Sequence, residues 1–206
     1  HILKWPDHLY WGKRSLHHVV EVAGVFSSND PKDIVRELAR DKIVNVVRGN
    51  MEFGARALCH TTTLALPTPE NVKYINSLNG RSTIMPMAPV VNESIADSLF
   101  MDRNKIYKSL EYMVCARDCQ QGVDPNNYGV THTSPLSGIR TCRPQTVYND
   151  PFMTPILDVY GYLINTSFNE HGMPIVFDVN DVYRCHEYQK ARDKDDRVIT
   201  FISDEE

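Results

Sequence analysis

The sequence lacks long hydrophobic segments and a surplus of charge of either sign. No apolar run approaches the roughly 18 residues that a membrane-spanning helix needs. The 206 residues include 22 Lys and Arg against 26 Asp and Glu, a formal net charge of -4. Proteins that hold duplex nucleic acid through its phosphates usually carry a basic surplus, so this balance argues against a nucleic-acid partner. These absences predict a soluble protein with neither a membrane nor a nucleic-acid partner.

Cysteine is scarce and irregularly spaced. The five cysteines are odd in number and lie far apart, whereas small secreted proteins held by disulfides carry denser, even sets. We therefore expect a reducing, cytoplasmic location. Cys115 and Cys119 have no second pair at zinc-finger spacing, so they are interpreted as core thiols and no metal site is predicted.

Several common catalytic motifs are also missing. The chain has no Gly-x-Ser-x-Gly elbow, no Gly-Lys-Ser/Thr phosphate loop and no Gly-x-Gly-x-x-Gly turn. Serine hydrolases of the α/β type, P-loop nucleotidases and dinucleotide-binding enzymes each depend on one of these motifs. These three classes therefore have no support in the sequence.

Helical and extended segments alternate along the chain without a fixed repeat. Asp30 and Pro31 are an N-cap and first-turn pair, and apolar residues then recur at helical spacing. Such a mixture predicts an α/β domain around a twisted mixed sheet. The predicted helices are 31–40, 69–78, 93–99, 151–160 and 178–187, the extended segments 43–47, 64–66, 86–91, 110–116, 143–147, 162–165, 174–177 and 198–202, and a loop 118–129.

The amino-terminal segment shows neither helical nor strand periodicity. We divide the chain into an irregular lead-in or linker, residues 1–26, and one domain, residues 27–206. The first residue is His1 rather than Met. We therefore expect a processed or excised piece of a longer product.

Four arginines are candidates for anion binding. Residues 48–58 join two strands yet mix charged, glycine and apolar residues without an amphipathic period. Their glycines and the guanidinium groups of Arg48 and Arg56 suit phosphate or carboxylate oxygens, and the alternative is a tight turn with a surface Arg–Glu pair. Arg81 and Arg143 stand at strand edges and either face solvent or converge on an anion.

Short polar side chains follow an apolar strand at residues 165–169. Asn165 and Ser167 stand at the carboxyl end of that strand, where α/β sheets place ligand-binding groups. They either hydrogen-bond a polar substrate or form an Asx- or Ser-type turn.

Four collinear motifs resemble one enzyme family. Arg-Gly-Asn-Met-Glu-Phe-Gly-Ala-Arg-Ala-Leu at 48–58 resembles the Gly-Arg-Met-Glu-Phe-Gly-Pro-Arg-Ala-Leu-Gly signature of the nodulation, cephalosporin and tobramycin O-carbamoyltransferases. Met-Pro-Met-Ala-Pro at 85–89 resembles the family's Arg-Pro-Phe-Ala-Pro, and Arg-Pro-Gln-Thr-Val at 143–147 its Ala-Arg-x-Gln-Thr-Val. Asn-Thr-Ser-Phe-Asn at 165–169, with Gly-Met-Pro-Ile-Val after it, resembles the family's Asn-Thr-Ser-Phe-Asn and Gly-Glu-Pro-Ile-Val. The chain is thus similar to the C-terminal half of this family.

This resemblance implies a fold, a reaction and a set of site residues. The fold is YrdC-like, an α/β domain with a strongly twisted mixed β-sheet, flanking helices and a polar cavity. The domain would form carbamoyl adenylate and pyrophosphate from carbamoyl phosphate and ATP, with Mg²⁺ on the ATP phosphates. An N-terminal actin-like domain, in cis or in trans, would carry the carbamoyl group onto a hydroxylated acceptor. The expected catalytic residues are Arg56 and Arg143, and the expected substrate-binding residues are Arg48, Arg81, Asn165 and Ser167.

The chain departs from the family at three positively charged positions, where it carries Thr61, Asn79 and Met85. Because the chemistry depends on anion binding, three interpretations stay open. The first is an active carbamoyltransferase domain in which Arg48 or Arg140 replaces a lost charge. The second is a catalytically degenerate YrdC-like module for binding or assembly, and the third is the related threonylcarbamoyl-adenylate chemistry of tRNA modification.

Overall fold

The computed structural model describes residues 9–12, 16, 21–82, 85–100, 110–120 and 129–203. These residues contain twelve strands and five helices. The strands are β1 (Tyr10–Gly12), β2 (Val25–Ser27), β3 (Ile43–Arg48), β4 (Met51–Glu52), β5 (Thr61–Ala65), β6 (Ala88–Asn92), β7 (Arg117–Asp118), β8 (His132–Thr133), β9 (Arg140–Cys142), β10 (Gln145–Val147), β11 (Tyr162–Ser167) and β12 (Val198–Ser203). The helices are α1 (Pro31–Ala39), α2 (Pro69–Leu78), α3 (Glu93–Leu99), α4 (Met153–Tyr160) and α5 (Val179–Lys190).

Seven strands form a mixed sheet in the order β10-β6-β11-β5-β3-β12-β2. Strand β12 is parallel to both β3 and β2, whereas β5 is antiparallel to both β3 and β11. Strand β6 is antiparallel to β11 and parallel to β10. As a result, the carboxyl ends of β3 and β11 lie at the same end of the sheet as the amino ends of β5 and β10. We call this the polar end of the sheet.

Strand β3 is buried on both faces and shows how the helices are placed. Val44 and Val46 pack in one cluster with α1 and α4. Ile43 packs in a second cluster with α2, and Val47 in a third with α5. Because successive side chains of a strand point to opposite faces, α1 and α4 cover one face of the sheet and α2 and α5 cover the other. The prediction of an α/β domain with a mixed sheet and flanking helices is confirmed.

The predicted helix starts at Asp30 and Asp178 are also confirmed. The Asp30 carboxylate accepts a hydrogen bond from the Lys32 backbone N–H at 2.9 Å. Asp178 accepts from the N–H groups of Asn180 and Asp181 at 2.9 and 3.0 Å. These bonds satisfy amide groups that have no partner within the helix, which is why short polar side chains mark helix starts so clearly in the sequence.

The predictions for residues 110–116, for Cys115 and for residues 174–177 differ from the structure. Residues 110–116 are not a strand, because Leu110 and Glu111 belong to a helical turn and Met113 has a left-handed φ of 55°. Cys115 therefore lies in an irregular segment, half-buried rather than in a core strand. Residues 174–177 join no sheet. Each segment is apolar enough for a strand but finds no neighbouring strand with which to pair.

Two short strands lie where the sequence predicted an irregular lead-in. Strand β1 pairs antiparallel with β4, and β2 pairs with β12 at the edge of the seven-stranded sheet. A three-residue strand has too few residues for its periodicity to be recognised, and it forms because a partner edge is present.

Most of the predicted loop 118–129 lies outside the described residues. None of the described helices is both long and apolar enough to cross a membrane.

Candidate functional site

A cavity of about 360 Å³ opens beside the polar end of the sheet. Its wall combines the end of β3, strand β10 and the segment that leads into α4. The lining residues are Tyr10, Arg48, His60, Glu111, Tyr112, Gln145, Thr146, Val147, Tyr148, Asp150 and Pro151. Aromatic, amide, hydroxyl and charged groups thus surround one space, which is a lining suited to a small polar ligand.

Arg48 is the last residue of β3 and is held from three directions. Its Nε donates to the Cys59 backbone carbonyl at 2.9 Å, and its Nη2 donates to Asp150 Oδ2. The guanidinium also lies over the Phe152 ring, 5.1 Å from its centroid. Because these contacts fix the plane of the guanidinium, Arg48 offers the cavity a positioned positive charge.

Asp150 joins Arg48 to the start of α4. Its Oδ1 accepts hydrogen bonds from the backbone N–H groups of Phe152 and Met153, both at 2.9 Å. Burial by itself would raise the pKa of this carboxyl, but the charge of Arg48 and the two amide bonds outweigh it and lower the pKa below its ordinary value. Asp150 is therefore ionised at neutral pH, and the pair fastens the end of β3 to the helix start.

Glu52 organises the loop between β4 and β5. Its carboxylate is buried, and Oε1 accepts from the backbone N–H groups of Leu58, His60 and Thr61 at 2.8, 2.9 and 2.9 Å. Tyr10 closes the loop from the cavity side, since its hydroxyl donates to the Leu58 carbonyl at 3.0 Å. The Tyr10 ring also stacks on His60, with centroids 3.6 Å apart and planes 11° apart. Burial raises the pKa of Tyr10, so the hydroxyl stays protonated as a donor.

Asn165 and Gln145 connect this loop to the sheet. Asn165 Nδ2 donates to the Ala57 carbonyl at 2.9 Å and to Gln145 Oε1 at 2.7 Å, and its Oδ1 accepts from Thr62 Oγ1. The Cys59 thiol donates to the same Gln145 oxygen at 3.3 Å. Burial raises the pKa of Cys59, which keeps it a thiol. Both amide hydrogens of Asn165 are thus engaged by protein atoms.

The six residues expected from sequence occupy different environments. Arg48 alone among them lines the cavity. Arg56 and Arg143 are exposed to solvent. Arg81 is partly buried beside α2, with Nη1 3.5 Å from Asn76 Oδ1, and burial lowers its pKa. The structure therefore does not bring Arg56, Arg81 and Arg143 together at this cavity.

The Ser167 side chain forms the turn that was given as the alternative to substrate binding. Its Oγ donates to Asn169 Oδ1 at 2.7 Å, and Asn169 Nδ2 donates to the Met173 carbonyl at 2.7 Å. These bonds bend the chain after β11. The substrate contacts expected of Asn165 and Ser167 stay predictions, because both side chains make internal hydrogen bonds here.

The positions that lack the family's positive charges do not face the cavity. Thr61 and Asn79 are completely buried, and Met85 is 43% exposed. Asn79 Oδ1 accepts from Gln189 Nε2 at 2.8 Å, so this position is part of the packing between α2 and α5.

Sequence reasoning missed most of the cavity wall, including Tyr10, His60, Glu111 and Asp150. One signal was available for Asp150, because Asp-Pro before an apolar helix is an N-cap signature. No local pattern marks Tyr10, which reaches the cavity only through the pairing of β1 with β4.

Comparison with known proteins identifies relatives along most of the chain. The model of the family described as "Carbamoyltransferase C-terminus" matches residues 35–193. A protein of Methanocaldococcus jannaschii is 35% identical over 162 residues, 74% of this chain and 30% of that protein. The nodulation protein NolO of Bradyrhizobium diazoefficiens is 29% identical over 154 residues, 70% of this chain and 27% of that protein. The 3'-hydroxymethylcephem-O-carbamoyltransferase of Amycolatopsis lactamdurans is 26% identical over 203 residues, 94% of this chain and 34% of that protein.

Two solved structures share the fold. A variant of P. abyssi Sua5 superposes with a TM-score of 0.54 at 12% identity, covering 84% of this chain and 45% of that one. Full-length HypF in its phosphate- and nucleotide-bound form gives a TM-score of 0.54 at 13% identity, covering 84% of this chain and 24% of that one. The chain spans 24% to 34% of the length of the curated relatives it matches. The chain has the YrdC-like fold and belongs to the carbamoyltransferase C-terminus family.

Proposed function

We propose that this domain forms carbamoyl adenylate for transfer to an acceptor hydroxyl. Carbamoyl phosphate, ATP and water would give carbamoyl adenylate, phosphate and pyrophosphate. The observation that carries the proposal is the family match over residues 35–193, which includes Arg48, His60, Gln145 and Asp150 in the cavity wall.

The cavity supports this chemistry through its fixed charge. Bringing carbamoyl phosphate and a triphosphate together opposes their mutual repulsion, which positioned guanidinium groups reduce. Arg48 would hold a phosphate or carbamoyl oxygen, and Gln145 and Thr146 stand beside it in the wall. Arg56 and Arg143 are exposed, so they would act on phosphates that approach from solvent.

A magnesium ion that accompanies ATP would take a carboxylate from the cavity wall, since Mg²⁺ in nucleotide sites usually takes one or two carboxylates together with phosphate oxygens. Glu111 is the carboxylate proposed for it, because both oxygens of Asp150 already accept hydrogen bonds from Arg48, Phe152 and Met153. Such an ion would screen the charge of the phosphates. The proposed substrate-binding residues are Arg48 together with Arg81, Asn165 and Ser167.

Acceptor recognition would lie outside the described cavity. The curated relatives are about three times longer than the matched region. An actin-like domain, in cis or in trans, would take the carbamoyl group from the adenylate to a hydroxylated small molecule.

Isotope exchange tests the proposed reaction. The chain with ATP, labelled pyrophosphate and carbamoyl phosphate should incorporate label into ATP, and Arg143→Ala should abolish the exchange. Arg36→Ala is the matched control, because Arg36 is exposed on α1 away from the cavity. Exchange without carbamoyl phosphate, or exchange supported by bicarbonate and threonine instead, would contradict the proposal, the latter favouring threonylcarbamoyl-adenylate chemistry.

A degenerate binding module is the second candidate, and one observation favours it. Among the described residues that line the cavity, Arg48 is the one lysine or arginine. Asp150 already neutralises part of the charge of Arg48. Calorimetry separates the two candidates, because a degenerate module should bind neither ATP nor carbamoyl phosphate.

A further inference from the structure

Two cysteines lie in contact beside the three-stranded sheet formed by β7, β9 and β8. Cys119 directly follows β7 and Cys142 ends β9, and their Sγ atoms are 3.7 Å apart. The Cys119 backbone N–H donates to the Arg140 carbonyl at 2.7 Å, while Cys142 pairs with Arg117. The two cysteines are therefore diagonal neighbours across one antiparallel ladder. We propose that Cys119 and Cys142 are a reversible oxidation site that forms a disulfide between β7 and β9.

The surroundings of the pair allow the sulfur atoms to approach. A disulfide requires an S–S distance of about 2.05 Å, so the sulfurs must move together from 3.7 Å. A small cavity of about 20 Å³, lined by both cysteines and by Phe100 and Val130, lies next to them. This space permits rotation of the thiols that close packing would oppose.

The thiols also differ in reactivity. Hydrogen bonding to Cys142 lowers the pKa of Cys119, and the charge of Arg140 acts in the same direction against burial. The hydrogen bond with Cys119 and burial raise the pKa of Cys142, so the proposal takes Cys119 as the attacking sulfur. Burial raises the pKa of Cys185 to about 12 and also raises that of Cys59, so both stay protonated thiols.

Both cysteines are buried, so the oxidant has to be small, and hydrogen peroxide is the reagent proposed. The Cys119 thiolate attacks one peroxide oxygen, breaks the O–O bond to form a sulfenic acid and releases hydroxide, which takes up a proton to become water. The Cys142 sulfur, after losing its proton, then attacks Cys119 Sγ and displaces the sulfenic oxygen as a second water. Two protein thiols are oxidised and one hydrogen peroxide is reduced to two waters.

The cross-link would act on a segment that reaches the candidate site. Cys142 is followed by Arg143 and Pro144, and Gln145 begins β10 in the cavity wall. Movement of Cys142 toward β7 would therefore displace the start of this segment. The oxidation itself does not depend on the proposed reaction.

Thiol counting and peptide mapping on the native chain test the site. We expect a small molar excess of hydrogen peroxide to reduce the count of five free thiols to three, and dithiothreitol to restore five. Blocking the remaining thiols with N-ethylmaleimide before proteolysis should yield one cross-linked peptide pair that joins Cys119 to Cys142. Cys185→Ser is the matched control and should still lose two thiols, whereas Cys119→Ser and Cys142→Ser should form no internal cross-link.

Several outcomes would overturn the proposal. They are retention of all five thiols, a sulfenic or sulfinic acid without the internal disulfide, and a disulfide that includes Cys59, Cys115 or Cys185. Mapping of the unsubstituted chain decides the question even where a serine variant folds poorly.

Discussion

Arg48 illustrates how one side chain serves both the fold and the cavity. It donates a hydrogen bond to the carbonyl of Cys59 and pairs with the carboxylate of Asp150, and 12% of its side chain is exposed. Arg48→Ala should lower the free energy of unfolding by about 2–4 kcal/mol, because a partly buried carboxylate loses its counter-ion. Urea denaturation measures the loss.

The exposed pair of Arg36 and Asp33 provides the comparison for Arg48. It lies within α1 at i, i+3 spacing, and Arg36 is 55% exposed. Arg36→Ala should change the free energy of unfolding by less than about 0.5 kcal/mol, since solvent screens such pairs. Equal losses in the two variants would show that burial gives the Arg48 pair no special stability.

The Asp150 carboxylate should make stability depend on pH in the acid range. Its folded pKa is lowered by Arg48 and by two backbone N–H groups, despite burial. The ionised form therefore stabilises the fold above the unfolded pKa of about 3.9, and this stabilisation is lost as the pH falls through the lower folded value.

Asp150→Asn isolates this contribution. The variant should unfold more easily than the parent at pH 7, and the difference should shrink as the pH falls below about 4. Denaturation at a series of pH values measures it. A difference that stays constant with pH would mean that the carboxylate acts through packing rather than charge.

At the scale of elements, a buried amide network joins α2 and α5 to the sheet. Gln189 on α5 donates to Asn79 Oδ1 at 2.8 Å and accepts from Asn45 Nδ2 on β3 at 2.7 Å. Asn45 also accepts from Thr63 Oγ1 at 2.7 Å. These polar bonds specify which helix face meets the sheet, since any shift would leave buried amides unpaired.

Gln189→Ala should destabilise the protein by about 2–4 kcal/mol, because two buried amides each lose a partner. The free energy of unfolding in urea measures the effect. Glu187→Ala, at an exposed position on the same helix, should cost little. A loss as small as that of Glu187→Ala would mean that water replaces the missing hydrogen bonds.

The elements themselves were predictable where their signals are local. Asp30 and Asp178 marked helix starts, and the β-branched run of β3 marked a buried strand. The strand predicted at residues 110–116 was wrong because strands and buried turns share an apolar composition. Only pairing with a neighbouring strand distinguishes them.

At the scale of the whole molecule, ligand binding should raise the free energy of unfolding. ATP that binds only the folded chain adds about 2.7 kcal/mol at a concentration 100 times its Kd. For a domain of this size, that corresponds to a rise in Tm of roughly 5–10 °C. Thermal unfolding with and without ATP and carbamoyl phosphate measures it.

Adenosine is the control for this binding measurement. It lacks the phosphates that the arginines are expected to hold, so it should leave Tm nearly unchanged. An equal rise with adenosine would indicate recognition of the base rather than of the anion. A rise with ATP that is lost in Arg143→Ala would support a role for that exposed side chain.

The sequence by itself determined the mixed α/β character, the helix starts, the central strands and the family, because each depends on residues that are neighbours in the chain. Only the tertiary structure decided the composition of the cavity, which takes Tyr10 from β1, Arg48 from β3 and Asp150 from the segment before α4. It also decided that Arg56 and Arg143 are exposed and that Asn165 is engaged internally. The physical reason is that exposure and hydrogen-bond partners are set by contacts between distant segments, which no local pattern records.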